Sequence, residues 1–274
     1  MFKKVAIVGT GLIGGSLALA IKEVKLAECV VGISRQQKNL NLAKKIGAID
    51  KGSLSLDILK DADLVVLATP ISVILNLAPK IAQIIQKNCI VTDVASTKEE
   101  IAGVLEKIFT HYVGTHPLAG SEKRSIANAA ANLFHGSACI ITSTKKTDKI
   151  AFKKVESLWN KIGAKTMALS PSTHDKILSI TSHLPHIAAF SLIKAVPDDY
   201  LKLSSGGLKD TTRIAGSDSE IWVDIFLSNQ KNILQAIGVF EKNIKEIKSA
   251  IQRKDKVRLA KILRDSKLKR EKLG

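Results

Sequence analysis

The sequence predicts an α/β domain built on a mostly parallel sheet, followed by an all-helical domain. Three observations predict it. Short apolar runs recur through the first 170 residues, each followed by a stretch of helical periodicity. The first run is joined to its helix by a glycine-rich turn. Beyond Ser170-Pro171 no β-rich run recurs and long helical periodicities take over, so the boundary is expected between residues 1–170 and 171–274.

The elements follow in order. Val5 to Val8 reads as a short buried strand, and Gly9-Thr-Gly11-Leu12-Ile13-Gly14-Gly-Ser16 leads from it into a helix running to about Lys25. This is the GxGxxG spacing in its strand-loop-helix setting. Gly9 permits a tight turn, Gly11 lets the backbone approach a pyrophosphate, and Gly14 lets helix and strand pack closely, while the helix N-terminus offers free N–H groups to phosphates. The first domain is therefore expected to be a Rossmann-type dinucleotide-binding domain.

The second strand, Cys29 to Ile33, ends in Ser34-Arg35, where an acid for the ribose hydroxyls is usual in NAD-binding proteins. Ser34 can hydrogen-bond and Arg35 can pair with a 2′-phosphate, which favours NADP over NAD. Leu64 to Ala68 is a further buried strand closed by Thr69-Pro70, before a helix from about Ser72 to Gln86. Cys89 to Asp93 is another strand, after which Ser96-Thr-Lys-Glu99 has the spacing of a capping box. Ser96 thus reads both as an N-cap and as a residue at the carboxyl end of a parallel strand, where such sheets bind ligands.

Val113 leads to His116, held between Thr115 and Pro117, and Pro117 biases the preceding residue towards extended backbone. A helical stretch is expected around Ser125 to Phe134, then a strand at Ser137 to Thr142, a helix near Asp148 to Ile162, and a strand at Thr166 to Leu169. The second half reads as helices at roughly Ser172 to Ala195, Gly207 to Ala215, Asp218 to Ser249 and Lys254 to Lys269, with apolar faces that suggest dimerisation.

Composition narrows the classes of function. The net charge of +17 attracts anions, yet aromatic residues make up only 4% of the chain, which is too few for base-stacking platforms, so no nucleic-acid role is expected. Cys29, Cys89 and Cys139 form no CxxC pair, which argues for free thiols in a cytoplasmic protein. Lys3-Lys4 and the apolar stretch to Ile21 resemble a secretory signal, but the glycines within it have their own explanation. No membrane association is expected. His183 and His186 lie three apart, with Pro185 between them and no third ligand at suitable spacing, so no metal site is expected either. Arg213, after a glycine-led polar segment, suits a substrate carboxylate or a helix end. Trp222 alone reads as core.

Taken together, Gly9 to Ser16, Thr92-Asp-Val-Ala-Ser-Thr-Lys98, Thr115-His-Pro-Leu-Ala-Gly-Ser-Glu122, Ser182-His-Leu-Pro-His186, Lys209-Asp-Thr-Thr-Arg-Ile-Ala215 and Trp222 resemble, in order and spacing, the prephenate/arogenate dehydrogenase family of tyrosine biosynthesis. The resemblance implies a helical C-terminal dimerisation domain, hence a homodimer, and a cyclohexadienyl substrate that loses hydride and CO2. It also implies that His116 accepts the hydroxyl proton or hydrogen bond, that Arg213 holds the ring carboxylate and that Ser96 orients the histidine. By the same resemblance Ser121, Glu122, His183, His186 and Trp222 line the pocket, and Gly11, Leu12, Ile13, Ser34, Arg35, Thr69, Pro70 and Ser96 contact the dinucleotide. Ser34-Arg35 is similar to the NADP-using, arogenate-preferring branch, whereas His186 is similar to prephenate users. A non-catalytic, dinucleotide-sensing protein with a basic docking surface is the expectation from another class.

Overall fold

The computed structural model describes residues 1–119 and 125–273. Its sheet is laid down by β1 (Phe2–Val8), helix α1 (Leu12–Glu23), β2 (Ala27–Ile33), α2 (Gln37–Lys45), β3 (Lys51–Ser53), β4 (Leu64–Leu67), α3 (Ile71–Ile84), β5 (Ile90–Asp93) and α4 (Glu99–Ile108). It is completed by β6 (Tyr112–Pro117), β7 (Ala138–Thr142), α5 (Lys149–Lys161) and β8 (Lys165–Leu169). The strand order is β3-β2-β1-β4-β5-β6-β7-β8, and every pairing is parallel except β6 with β7. The order reverses between β1 and β4, the switch point at which open α/β sheets bind ligands.

The inner strands carry short apolar runs because both faces of the sheet are covered there, whereas the edge strands β3 and β8 are partly exposed. Alternate residues feed opposite cores. Val5 and Ile7 of β1, with Leu64 and Val66 of β4, pack with Leu17 and Ile21 of α1 and Val155 and Trp159 of α5. Ala6, Val8, Val65 and Leu67 point the other way, to Ile74 and Ile81 of α3 and Ile101 and Leu105 of α4. Burying an aliphatic side chain of this size is worth about 1.5–3 kcal/mol, so the two layers fix the register of the strands that carry the site.

The helix expected around Ser125 to Phe134 is not formed. Only a 3-10 turn, Ile126–Asn128, stands there. The Ser125 hydroxyl accepts from the Ala127 N–H, and the Ala130 N–H donates to Ser16 Oγ on α1 instead of to a carbonyl of its own segment. Ile126 meanwhile packs where Gly15 of α1 lacks a side chain. Tertiary partners have taken the groups that a helix would have used.

Beyond β8 come α6 (Pro171–Leu178), a π-helical turn (Ser179–His183), α7 (Leu184–Lys194), α8 (Asp198–Leu201), α9 (Gly206–Thr212), a 3-10 turn (Arg213–Gly216), α10 (Ser219–Ser228), α11 (Gln230–Gln252) and α12 (Lys256–Glu271). The helix expected from Ser172 to Ala195 therefore carries a π turn, which ends just before Pro185, and the long helix expected from Asp218 to Ser249 breaks at Asn229. Two compact units result, one from Met1 to Asn229 and one from Gln230 onward. In the second, α12 packs on α11, and the α12 residues Val257, Leu263 and Leu268 are exposed. No helix among the described residues is long and apolar enough to cross a membrane.

Candidate active site

A cleft of about 650 Å³ opens at the switch point. Gly11, Leu12, Ile13, Arg35, Thr69, Pro70 and Ser96 line it, seven of the residues that the sequence reading assigned to a dinucleotide. Gly9 and Gly14 stand behind it and act through packing. Gly9 has a φ of +104°, and a Cβ there would meet the Ala68 carbonyl oxygen at 2.5 Å; a Cβ on Gly14 would meet the Gly9 oxygen at 2.1 Å. A Cβ on Gly11, in contrast, would meet nothing within 4 Å. The loop is thus packed tightly on its sheet side and open on its cleft side. The Thr69 hydroxyl is buried and has no hydrogen-bond partner among the described residues, as suits a wall built to receive a polar ligand. These features fit a dinucleotide held along the glycine loop and the start of α1.

Ser34 follows β2 and caps a turn, accepting from the Gln36 N–H at 3.3 Å, while Arg35 is exposed on the rim. The capping box expected at Ser96 is not formed. α4 starts at Glu99 with Lys98 as its N-cap, and no side chain of its own segment caps it. The carboxylate of Asp175, on α6, takes the Lys98 and Glu99 N–H groups instead, each at 2.8 Å. This leaves Ser96 on the cleft wall.

His116 sits within β6, opposite Ile140 of β7, and is 9% exposed. Its Nδ1 lies 2.8 Å from Nε2 of His174, whose own Nδ1 lies 2.7 Å from Oδ1 of Asp175. Beneath this line, Asp93 at the end of β5 is fully buried. It pairs with the ammonium of Lys98, accepts from the Tyr112 hydroxyl at 2.6 Å and from the Ala95 N–H at 2.8 Å, and its carbonyl accepts from Thr115. Burial, followed by the neighbouring His174 and Lys98, holds the His116 imidazole well below its ordinary pKa. The ring is neutral at neutral pH and able to accept a proton.

On the other side of the site the π turn brings His183 in beside Asn229, whose amide nitrogen lies 3.2 Å from His183 Nδ1 and donates to the Asp175 carbonyl at 2.8 Å. Burial lowers the His183 pKa to about 4. His186, one turn on, stacks on Trp222, and its pKa is lowered by burial and by the charge of Arg213. Arg213 itself is exposed, at the head of its 3-10 turn against α7. The fold therefore gathers His183, His186 and Trp222 into one cluster and brings Arg213 within electrostatic reach of it. Ser121 and Glu122 lie outside the described residues.

Sequence reasoning missed Asp93, Lys98, His174, Asp175 and Asn229. Asp93 and Lys98 fall inside the Thr92-to-Lys98 motif but read as ordinary polar residues. His174-Asp175 offers one signal, an imidazole and a carboxylate side by side in the first turn of a helix, and nothing local says that the helix end meets β6.

Comparison with known proteins agrees with this geometry. Residues 17–168 match the family model described as prephenate dehydrogenase, nucleotide-binding domain, and residues 170–265 match the one described as prephenate dehydrogenase, dimerization domain. The prephenate dehydrogenase of Lactococcus lactis subsp. cremoris is 35% identical over 265 residues, covering 92% of this chain and 72% of that protein. The cyclohexadienyl dehydrogenase of Zymomonas mobilis subsp. mobilis is 32% identical over 269 residues, covering 93% and 90%. Among solved structures, prephenate dehydrogenase from A. aeolicus in complex with hydroxyphenyl propionate and NAD+ superposes with a TM-score of 0.95 at 35% identity, covering 100% of this chain and 99% of that one. Synechocystis arogenate dehydrogenase superposes with a TM-score of 0.86 at 29% identity, covering 99% and 100%.

Proposed function

The chain belongs to the prephenate dehydrogenase family, and from that premise we propose that it converts prephenate to 4-hydroxyphenylpyruvate and CO2, with hydride transfer to a nicotinamide dinucleotide. The observation that carries this reading is the imidazole of His116, buried at the carboxyl end of β6, three residues before Ala119 on the cleft wall, and held below its ordinary pKa by that burial. A dinucleotide bound along Gly11, Leu12 and Ile13 supplies the hydride acceptor.

In this reading His116 accepts the 4-hydroxyl proton, or a hydrogen bond from it, as C4 loses its hydride. Arg213 holds the ring carboxylate, with His183, His186, Trp222, Ser121 and Glu122 around the rest of the ring, and Ser96 lies between histidine and dinucleotide. When the carboxylate leaves as CO2, the electron pair of the broken C–C bond enters the ring, and the oxygen regains a proton as a phenol. Aromatisation drives the step, so the protein contributes position and polarity.

Arg35 on the cleft rim and the lack of an acid after β2 support NADP as the favoured dinucleotide, with NAD as the alternative. Arogenate is the second substrate reading, favoured by the match to a cyclohexadienyl dehydrogenase and to the Synechocystis enzyme. The division into residues 1–170 and 171–274 is supported by the two matched regions. A homodimer is supported by the dimerization-domain match and by the exposed apolar residues of α12.

Initial rates of dinucleotide reduction by the purified protein, with prephenate and arogenate each tested against NAD and NADP, test the reading. Turnover is expected with prephenate and NADP, and it is expected to vanish in His116→Asn while dinucleotide affinity persists. Silence in all four combinations from a folded, dinucleotide-binding protein would favour the non-catalytic sensor.

A further inference from the structure

Two buried residues that the reaction above does not use meet His116 end to end. His174 and Asp175 lie in the first turns of α6, both fully buried. The two oxygens of Asp175 accept the Lys98 and Glu99 N–H groups, and its main-chain carbonyl accepts from Asn229 Nδ2. A carboxylate engaged by donors on both oxygens is an acceptor towards His174 as well, so the hydrogen on the 2.7 Å contact belongs to His174 Nδ1. A neutral imidazole carries one N–H. His174 Nε2 is therefore a bare acceptor, and the hydrogen on the 2.8 Å contact between the rings belongs to His116 Nδ1. The same count leaves Nε2 of His116 with its lone pair free to accept.

We propose that Asp175 and His174 are positioning residues which, acting in series, hold His116 in the tautomer whose Nε2 faces the chemistry as a proton acceptor. The proposal rests on the reading of His116 as the group that accepts the hydroxyl proton. It also gives Asp175 two tasks at once, since the carboxylate that aligns the imidazoles caps α4 and so locks α6 against the strand end that carries Ser96. Burial and the charge of Lys98 keep His174 neutral, as the count requires. The line resembles the aspartate–histidine orientation found in hydrolytic triads, extended by one imidazole.

The tautomer is read directly by nitrogen-15 NMR of the histidine-labelled full-length protein, with the His116 signals identified by their loss in His116→Asn. The wild type is expected to show a protonated Nδ1 and a bare Nε2 on His116. Asp175→Asn leaves one acceptor oxygen, without the carboxylate charge, for the Lys98, Glu99 and His174 Nδ1 hydrogens, so the hold on the His174 tautomer weakens and His116 is expected to show a mixture of Nδ1–H and Nε2–H forms. In kinetics, Asp175→Asn should lower kcat by about 10²- to 10⁴-fold with KM changed little.

Because Asp175 also caps a helix, His174 supplies the second test. His174→Gln retains an oxygen that accepts from His116 Nδ1–H and should keep kcat within about tenfold of wild type, whereas His174→Phe fills the space without an acceptor and should fall as far as Asp175→Asn. A wild-type His116 protonated on Nε2, or wild-type kcat in folded His174→Phe, overturns the proposal. A wild type that turns over neither cyclohexadienyl acid overturns the functional reading instead, and the spectrum still reports whether the relay sets the tautomer.

Discussion

The imidazole of His186 lies flat against the indole of Trp222, with ring centroids 3.6 Å apart and planes 27° from parallel. The same indole meets His183 in a T-shaped pair with centroids 6.1 Å apart, so one side chain braces both histidines of the Ser182-to-His186 motif. Aromatic pairs of this kind are worth about 0.5–1.5 kcal/mol beyond area burial. Trp222→Leu keeps an apolar side chain, though a smaller one, and removes the brace. It is expected to raise KM for the cyclohexadienyl substrate by about 2- to 10-fold while kcat and dinucleotide KM stay near wild type, as steady-state rates at saturating dinucleotide would show. An unchanged substrate KM would remove Trp222 from the pocket.

Stability should fall on the acid side. Burial holds His116, His174, His183 and His186 below the ordinary imidazole value of 6.5, with His183 at about 4. A group whose folded pKa is lowered takes up protons more readily in the unfolded chain, so its contribution is complete above pH 6.5 and is lost as pH falls below that value. For His183 alone the loss amounts to roughly 3 kcal/mol by pH 4. Melting temperature recorded from pH 8 to pH 4 should be flat down to about 6.5 and then decline. His183→Asn should lessen that decline, and a variant that declines as steeply as wild type would contradict the assignment.

Lys98 should matter to both stability and pH profile. Its ammonium is fully buried against Asp93, and its charge is among the causes that hold His116 low, after burial and His174. Lys98→Met leaves the Asp93 carboxylate buried with only the Tyr112 and Ala95 donors, a break expected to cost about 3–5 kcal/mol in urea unfolding. Adding Asp93→Asn to it should recover part of the loss. Loss of the positive charge, and exposure of His116 to an unpaired carboxylate, both push the His116 pKa upward. The acid limb of kcat should therefore move to higher pH in Lys98→Met, and a shift to lower pH would refute the electrostatic account.

What could be read from the sequence, and what could not, follows from the range of each interaction. The inner strands, the glycine loop and most helices on the two faces are encoded by near-neighbour periodicity and appear where the apolar runs place them, whereas α2 and the edge strand β3, Lys51-Gly-Ser53, carry no apolar run and escape such a reading. His116 stands out because Pro117 restricts it locally. The capping of α4 was misread because Ser96 and Glu99 carry the right spacing, whereas the carboxylate that caps the helix comes from Asp175, 76 residues beyond Glu99. The π turn and the break at Asn229 likewise answer to tertiary partners, among them the contacts of Asn229 with Asp175 and His183. The segment from Ser125 to Phe134 lost its helix to Ser16 and Gly15 of α1 for the same reason. Polar residues whose partners lie far along the chain are those that a reading of local pattern passes over, and here they surround the candidate base.

The two faces of the glycine loop give a final pair of variants with opposite expectations. A Cβ on Gly14 would lie 2.1 Å from the Gly9 carbonyl oxygen and 2.9 Å from Ile7 Cγ2, so Gly14→Ala must push α1 away from β1 and is expected to cost about 1–3 kcal/mol together with dinucleotide affinity. Gly11 has an extended backbone with φ of −88°, which alanine adopts freely, and its Cβ would meet no protein atom within 4 Å. Gly11→Ala should therefore leave unfolding free energy within about 1 kcal/mol of wild type. Its methyl group would nonetheless stand in the cleft where a pyrophosphate needs the backbone, so dinucleotide Kd, measured by fluorescence titration, should rise without loss of fold. Stability and affinity falling together in Gly11→Ala, or affinity unchanged, would place the dinucleotide elsewhere than on the glycine loop.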